Sequence, residues 1–370
     1  MTDTKFAQRV LDIDISGIRK IFEAAGLDAI NLGLGQPDFD TPSHIRKAAI
    51  DAINEGFTGY TVGSGIMELR EALSHKFKEE NGFDASPDEI IVTSGASEAL
   101  EIAIAALVNP GDEVLIANPG FVSYNALTGI MGGHVVGVPL GEDLTMRPED
   151  VIKRITTKTK VLIVNSPSNP TGGVQTRDDM KAFADIADDY NITIISDEVY
   201  EHFIYEGEHV SPAKYSDNVI TVNATSKTYS MTGWRLGYVA AKSEYTEQMI
   251  KVHQYVQACA NSIAQKAALA AITGPIKPVI TMREEFQKRR DVLVSGLNAM
   301  GLKCSLPKGA FYAFPEVPDS ADVASKFISN GVVVVPGTAF GNLGDGHIRF
   351  SYAASMSCIE RALGIMERVL

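Results

Sequence analysis

Between about residues 85 and 240, short apolar runs alternate with stretches of helical periodicity. The candidate strands are residues 90–92, 113–116, 161–164, 192–195 and 220–222. The candidate helices between them include residues 98–107, 177–189 and the segment around 124–131. Continuous apolar strands that alternate with helices are typical of a parallel sheet covered on both faces. We therefore predict an α/β fold with a large, mainly parallel sheet.

A different pattern follows this region. Residues 238–241 predict one more strand, and residues 246–272 predict one long helix that ends at Gly274 and Pro275. After a helix at 283–300, alternating apolar runs occur near 309–314, 331–336 and 347–351, with helices near 321–330 and 355–370. This mixture predicts a second, small α+β domain.

The composition narrows the class of protein. The chain has 370 residues, a formal net charge of -13 and three cysteines, with a sequence pI of about 5.0. The acidic balance argues against nucleic acid or an anionic membrane as a partner. Three scattered cysteines predict no disulfide framework, and the histidines have no metal-ligand spacing, so we expect no metal site. The N-terminus lacks an apolar signal core, and we expect a cytoplasmic protein.

The most informative chemistry lies in residues 226–237, which follow a predicted buried strand. Lys227 offers an amine that forms a Schiff base with an aldehyde once its pKa is lowered. Arg235 offers a fork that binds a phosphate with two parallel hydrogen bonds. A cofactor with an aldehyde and a phosphate, pyridoxal 5′-phosphate (PLP), would use both. For an isolated Ser-Lys pair, a surface lysine and a salt-bridged arginine would be the commoner interpretation.

Further candidate groups follow other strands, at the edge of a parallel sheet where ligands bind. Ser97 lies at the start of a helix, after small residues that let an anion approach, although an ordinary helix cap is the favoured interpretation of this motif taken alone. Asp197 can pair with a protonated pyridine nitrogen and Tyr200 with the ring hydroxyl, or they can serve as a cap and a core residue. Asn169 precedes a proline, and Phe121 can stack on an aromatic ring. A turn and a core position are the alternatives for these two residues.

Taken together, these motifs resemble the class I aminotransferases, which are PLP enzymes of fold type I. The resemblance extends from residue 31 to the C-terminal helix, and it is strongest to prokaryotic and archaeal aspartate and aromatic aminotransferases. It rests on residues 169–172, 196–200, 226–237 and 348–351. It implies a seven-stranded large PLP-binding domain at 46–277 and a small domain built from 1–45 and 278–370. A nicotinamide dehydrogenase shares the α/β pattern, but no Gly-x-Gly-x-x-Gly run follows the first strand.

The family's functional roles can be assigned residue by residue. The resemblance implies that Lys227 carries the cofactor and moves the substrate proton, with Asp197 and Tyr200 as the other catalytic groups. The residues that it implies for PLP binding are Tyr60, Gly95, Ala96, Ser97, Phe121, Asn169, Asp197, Tyr200, Lys227 and Arg235. The residues that it implies for the substrate carboxylate are Gly35, Asn169 and Arg349. Tyr60 would come from the neighbouring subunit, so the resemblance also implies a homodimer with shared sites.

One position departs from the family. Ala224 stands three residues before Lys227, where many relatives have a phosphate-contacting serine, and Ser226 and Thr225 are the two candidates to replace it. The favoured reaction moves an amino group between aspartate and 2-oxoglutarate in a ping-pong cycle. An aromatic amino donor and a PLP-dependent β-lyase reaction are the alternatives. Residues 15–18, 64–65 and Phe311 are the candidates to contact the substrate side chain.

Overall fold

The computed structural model describes residues 5–13 and 29–370, and its centre is a seven-stranded sheet. The strands of this sheet are β2 (Ile90–Thr93), β3 (Glu113–Asn118), β4 (His134–Pro139), β5 (Thr159–Asn165), β6 (Thr193–Asp197), β7 (Val219–Ala224) and β8 (Gly237–Ala240). Their spatial order is β2-β8-β7-β6-β5-β3-β4. All pairs are parallel except the two that β8 makes with β2 and β7. The predicted fold class is confirmed.

Helices cover both faces of this sheet. The α-helices between residues 8 and 273 are α1 (Gln8–Leu11), α2 (Ser43–Asn54), α3 (Met67–Lys76), α4 (Ala96–Leu107), α5 (Val122–Ile130), α6 (Pro148–Ile152), α7 (Arg177–Tyr190), α8 (Thr225–Thr228), α9 (Ser243–Val256) and α10 (Ser262–Thr273). One apolar core packs α4 and α9 against the sheet, and another packs α7 against its opposite face. Because both faces are covered, β2, β6, β7 and β8 are buried along their whole length.

The structure corrects one predicted element and adds another. The single helix predicted over 246–272 is two helices, α9 and α10. Between them Ala258 adopts a φ of 60°, and the Asn261 side chain caps α10 by accepting from the Ala264 amide. Because the break contains no glycine or proline, the usual signals of helix termination do not mark it. The sequence analysis also missed β4, an edge strand that is mostly only half-buried.

A second group of elements joins both ends of the described chain. These elements are β1 (Ile30–Asn31), α11 (Lys277–Ala299), β9 (Tyr312–Ala313), α12 (Ser320–Ser329), β10 (Val332–Val333), β11 (Val335–Pro336), β12 (Ile348–Ser351) and α13 (Met356–Val369). β1 pairs in parallel with β10, and β12 lies between β11 and β9 in an antiparallel sheet. One apolar core links β1, β9, β10 and β12 to α11, α12 and α13.

Among residues 5–13 and 29–370, every helix is too short or too polar to cross a membrane.

Candidate active site

The carboxyl ends of the parallel strands open into a cavity of about 240 Å³. Most of the residues predicted from the sequence line it: Gly35, Ala96, Ser97, Phe121, Asn169, Asp197, Tyr200, Lys227, Arg235 and Arg349. Parallel strands place their carboxyl ends at one edge, so motifs distant in sequence converge there. β12 of the second group adds Arg349 from the opposite side of the cavity.

Lys227 lies in the short helix α8, directly after β7. Its Nζ donates a hydrogen bond to the carbonyl oxygen of Gly35, at 2.7 Å. Burial lowers the pKa of this amine to about 8, and the positive charges of Arg349 and Arg235 act in the same direction. A fraction of the amine is therefore neutral near pH 7, and a neutral amine is the form that attacks a carbonyl carbon.

Asp197 ends β6 and is buried. Its Oδ2 accepts a hydrogen bond from the hydroxyl of Tyr124 at 2.7 Å, and its Oδ1 accepts a long one from the Val199 amide at 3.4 Å. Burial raises the pKa of this carboxyl to about 6, although both hydrogen bonds and the charge of Lys227 lower it. Since no cation of this chain is hydrogen-bonded to it among the described residues, the carboxylate is suited to a cationic ligand.

Arg349 is buried on β12 between two aromatic rings. Its Cζ lies 4.6 Å from the ring centroid of Tyr312 and 4.7 Å from that of Phe340. Its Nη1 donates to Asn169 Oδ1 at 2.8 Å, and its Nη2 donates to the carbonyl oxygen of Gly33. Its Nε is buried and has no partner among the described residues. Burial lowers the pKa of this guanidinium, and a bound carboxylate would relieve that cost.

The start of α4 forms a cradle together with Arg235. Gly95 adopts a φ of +81°, and a Cβ there would lie 2.6 Å from Arg235 Nη2. Only glycine permits this approach of the guanidinium to the first amides of the helix. Ala96 and Ser97 follow at the cavity wall, and Arg235 Nη1 also donates to the Thr232 carbonyl oxygen at 3.0 Å. A helix N-terminus beside an arginine is suited to a phosphate.

Of the two candidates to replace the missing serine at position 224, one faces the cavity. The Ser226 side chain lines it, whereas the Thr225 hydroxyl is fully buried and donates to the Leu236 carbonyl oxygen at 3.2 Å.

Several predicted residues lie elsewhere. Tyr60 is 92% exposed and does not line the cavity of its own chain. Phe311 is fully buried in the core, and its neighbour Tyr312 forms the cavity wall instead, which corrects the expectation for Phe311. Gly65 packs against Val92 of β2, away from this cavity. Residues 15–18 lie outside the described part of the chain.

Among the lining residues that were not predicted from the sequence, Tyr124, Tyr312 and Asn165 make side-chain hydrogen bonds to the predicted ones. Tyr124 donates to Asp197, and Tyr312 shares a 2.9 Å hydrogen bond between its hydroxyl and that of Tyr200. Asn165 accepts from the Asn169 amide at 2.8 Å and donates to the Asp197 carbonyl oxygen at 2.9 Å. Asn165 had a detectable signal, because it ends β5 in register with Asp197 at the end of β6.

A second buried group of charges lies behind the cavity, and we call it the rear network: Lys76, Asn81, Glu198, Glu201 and His209. Lys76 Nζ contacts Glu201 Oε1 at 2.5 Å, and Asn81 Nδ2 donates to both glutamates. Glu198 also contacts His209 Nε2 at 2.8 Å and accepts from the hydroxyls of Ser196 and Ser211. The carboxylates lie close enough to His209 for metal ligation, but Lys76 already supplies a cation there.

The cavity groups fit PLP. The Gly95–Arg235 cradle suits the phosphate, Asp197 suits a protonated ring nitrogen, and the Lys227 amine suits the aldehyde. Arg349 also lines the cavity and has no carboxylate partner among the described residues, so it suits the carboxylate of an amino acid. The charged groups of the cavity therefore match different groups of the cofactor and of an amino acid.

Comparison with known proteins identifies the family. The family model described as aminotransferase class I and II matches residues 28–364. The chain is 49% identical to the probable aspartate aminotransferase of Methanocaldococcus jannaschii, over 98% of this chain and 99% of that protein. It is 41% identical to aromatic-amino-acid aminotransferase 2 of Thermococcus litoralis, over 98% of both chains. The solved structure of Thermus thermophilus aspartate aminotransferase with maleate has a TM-score of 0.96 and 40% identity, covering 99% of this chain and 100% of that one. The chain belongs to the class I and II aminotransferase family, and enzymes of this type use pyridoxal phosphate.

Proposed function

We propose that this aminotransferase moves an amino group between aspartate and 2-oxoglutarate in a ping-pong cycle. The observation that carries the proposal is that Lys227, which is half-buried, and Arg349, which is buried, line one cavity, and neither has a carboxylate partner among the described residues. The names of relatives from Methanocaldococcus and Pyrococcus favour aspartate as the donor.

In this proposal the residues of the chain divide the work. Gly95, Ala96, Ser97 and Arg235 hold the phosphate, Phe121 packs on the ring, and Asn169 and Tyr200 bind the ring hydroxyl. When bound, PLP supplies an aldehyde that takes up the amino group and a ring that withdraws electrons. Asp197 keeps a proton on the ring nitrogen. Arg349, with Gly35 and Asn169 beside it, orients the α-carboxylate of the substrate.

Lys227 is the group that moves protons. Its amine, with a pKa of about 8, is basic enough to take the proton from the substrate α-carbon and neutral often enough to do so near pH 7. Tyr200 shares a hydrogen bond with the Tyr312 hydroxyl in which either group can donate, and when Tyr312 donates, the Tyr200 hydroxyl is available to donate to the ring oxygen.

A labelling experiment tests the role of Lys227. Borohydride reduction of the PLP-loaded enzyme, followed by peptide mapping, should place the pyridoxyl label on Lys227. A label on another lysine would contradict the assignment. Lys227→Ala should still bind PLP but lose transamination, because the base is gone.

An aromatic donor is the second candidate. Tyr312, Phe340 and Phe121 place aromatic rings around the cavity, and the Thermococcus relative is named an aromatic-amino-acid aminotransferase. The test is kcat/KM for aspartate, phenylalanine and tyrosine, each with 2-oxoglutarate. An aromatic donor that exceeds aspartate by more than about tenfold, about 1.4 kcal/mol, would overturn the aspartate proposal.

We also infer a homodimer with shared active sites. Tyr60 is 92% exposed and Val62 is 64% exposed in the same segment, which supports a partner surface there. If Tyr60 reaches the phosphate of the partner, mixing Tyr60→Phe with Lys227→Ala chains should produce heterodimers with one intact site and regained activity. A fully active monomer in ultracentrifugation would contradict shared sites.

The domain division stays a proposal as well. We infer a large domain at 46–277 and a small domain from 1–45 and 278–370. The pairing of Ile30 with Val332 supports a small domain that uses both chain ends.

A further inference from the structure

His253 is a fully buried histidine on α9, and both of its ring nitrogens face oxygen atoms. Nδ1 lies 2.7 Å from Glu98 Oε1, and Nε2 lies 2.8 Å from the carbonyl oxygen of Gly63. The two oxygen atoms belong to parts of the chain that are distant in sequence, α4 and the segment before α3. His253 therefore connects α4 to the segment before α3.

Both contacts together require one more proton than a neutral histidine and an ionised glutamate carry. A carbonyl oxygen only accepts, so Nε2 must carry a hydrogen. Nδ1 then either carries a second hydrogen toward an ionised Glu98 or accepts one from a protonated Glu98. In either arrangement the pair holds a shared proton in a dry environment, where such a hydrogen bond is strong and sensitive to replacement.

The Glu98 side of the bridge leads to the phosphate cradle. Glu98 is the third residue of α4, and its other oxygen, Oε2, accepts from the backbone amide of Ser94. Ser94 precedes Gly95, whose left-handed conformation lets Arg235 approach. Fixing Ser94 therefore fixes the backbone that would face the phosphate, although neither Glu98 nor His253 lines the cavity.

The Gly63 side of the bridge leads to the Tyr60 segment. Gly63 packs so closely that a Cβ would lie 3.2 Å from the Ala258 carbonyl oxygen, in the turn that follows α9. Gln265 supports the same segment through Thr61 Oγ1 at 3.0 Å and the Ile66 amide at 2.8 Å. The segment is thus anchored from α9 and α10 while Tyr60 itself is exposed.

We propose that His253 is a positioning residue that couples the phosphate cradle of its own chain to the Tyr60 segment. The inference rests on the proposed PLP site and shared dimer. In the dimer, the bridge would connect the phosphate-binding residues of one active site with Tyr60, which belongs to the other active site. His253 acts through Glu98 and Gly63 and touches neither cofactor nor substrate.

The test compares the dissociation constants of PLP and of pyridoxal, which has the same ring and aldehyde but no phosphate. His253→Gln should lower the preference for PLP over pyridoxal on the order of tenfold, because it disturbs only the phosphate end. Met249→Ala is the matched control, since Met249 is fully buried one turn earlier on α9 and makes no polar contact in the described chain. It should weaken the fold but leave the preference unchanged.

A second variant covers the case in which His253→Gln does not fold. Glu98→Leu keeps a side chain of similar size but removes both oxygens, so the Ser94 amide and His253 lose their common partner, and it should reduce the preference in the same direction. If either folded variant weakens PLP and pyridoxal equally, the role is only structural and the proposal fails. Failure of the proposed phosphate site would be distinct, because the unaltered chain itself would then show no preference for PLP over pyridoxal, and failure of the aspartate assignment would appear only in the kcat/KM comparison of amino donors.

The Gly63 side has its own test. If His253 positions Tyr60, then Tyr60→Phe should cost less PLP affinity in the His253→Gln background than in the unaltered chain. Additive losses would show that the two residues act independently and would overturn the coupling.

Discussion

Asp197 and Glu198 are adjacent in sequence, yet they belong to two buried charged regions in which the charges are balanced differently. Asp197 faces the cavity, where burial raises its pKa to about 6. Glu198 faces the rear network, which also holds Glu201. Burial alone would raise the pKa of Glu201, but Lys76, His202 and His209 hold it at about 2. Burial lowers the pKa of His209, but the charge of Glu198, its hydrogen bond and the charge of Glu201 together raise it.

The difference lies in the source of the compensating charge. The rear network carries its own cations and donors, so its charged forms are stable without a ligand. In the cavity, Asp197, Lys227 and Arg349 all have pKa values shifted toward their neutral forms, with burial as the main cause. The empty cavity therefore lowers the stability of the folded protein, and a ligand with matching charges would offset this loss. Such an arrangement is typical of functional sites.

Breaking the rear network should have the largest effect on stability. Lys76→Met leaves Glu201 buried beside Glu198 without its ammonium partner, and we expect a loss of about 3–5 kcal/mol in the free energy of unfolding. Urea denaturation of the apoprotein measures it. Lys181→Met is the control, because the Lys181–Asp185 pair is exposed and its loss should leave the unfolding midpoint unchanged. An equal effect of both variants would contradict the internal compensation.

The shifted pKa values of the cavity groups should make the free energy of unfolding of the apoprotein depend on pH. Asp197 binds its proton more tightly when folded, so the folded state is penalised once the carboxyl ionises. Stability should fall as the pH rises from about 4 to about 6, by on the order of 3 kcal/mol from this group. Lys227 has a lowered pKa when folded, so its contribution has the opposite sign, and stability should rise as the pH passes about 8.

Asp197→Asn isolates the first of these effects. The difference in unfolding free energy between the unaltered apoprotein and Asp197→Asn should change between pH 4 and pH 6 and be constant from there to pH 7. Adding PLP to the unaltered protein should reduce the decline, because a ring cation compensates the carboxylate. If the difference in unfolding free energy did not change across this pH range, the charge of the Asp197 carboxylate would already be balanced by groups of the chain itself.

The next prediction concerns the substrate end of the cavity. Arg349→Lys keeps a positive charge but removes the planar fork held between Tyr312 and Phe340. We expect kcat/KM to fall on the order of 10²-fold for amino and oxo acids alike, because every substrate has an α-carboxylate. A loss confined to one class of substrate would indicate that Arg349 contacts the side chain instead.

Strand-end chemistry was the part of this site most accessible from the sequence. Lys227, Asp197 and Asn169 each follow an apolar strand, and a parallel sheet brings such positions together whatever the intervening chain. Tyr124 and Tyr312 escaped prediction because they act through other residues, and a tyrosine in an apolar helix or strand has no pattern of its own. The rear network escaped for a related reason, since its residues come from the end of α3, the helical turn after it, the turn after β6 and a loop, which only tertiary packing joins.

The fold shows the same limits. β4 was missed because Gly137 and Pro139, which usually indicate turns, interrupt its run of valines. The break between α9 and α10 was missed because Ala258 adopts a left-handed conformation without glycine. Tertiary contacts, here the cap by Asn261, decide such a break more than local propensity does.

The hydroxyls of Ser226 and Thr225 differ in the same way as the cavity and the rear network, because only one of them has a partner within the protein. The Ser226 hydroxyl lines the cavity and makes no hydrogen bond to any described residue, whereas Thr225 is satisfied by the Leu236 carbonyl oxygen. We therefore expect Ser226 to make the phosphate contact that Ala224 cannot. Ser226→Ala should weaken PLP relative to pyridoxal by about fivefold, which corresponds to one neutral hydrogen bond of roughly 1 kcal/mol.

Thr225→Val is the matched control for this prediction. It removes a hydroxyl of the same helix that points into the protein, so it should lower the unfolding midpoint and leave the ratio of the PLP and pyridoxal dissociation constants unchanged. The reverse result, with the ratio moved by Thr225→Val and not by Ser226→Ala, would assign the contact to Thr225. The ligand would then bind the Thr225 hydroxyl, which already has a partner within the protein. The contrast between the cavity and the rear network would not hold at this position.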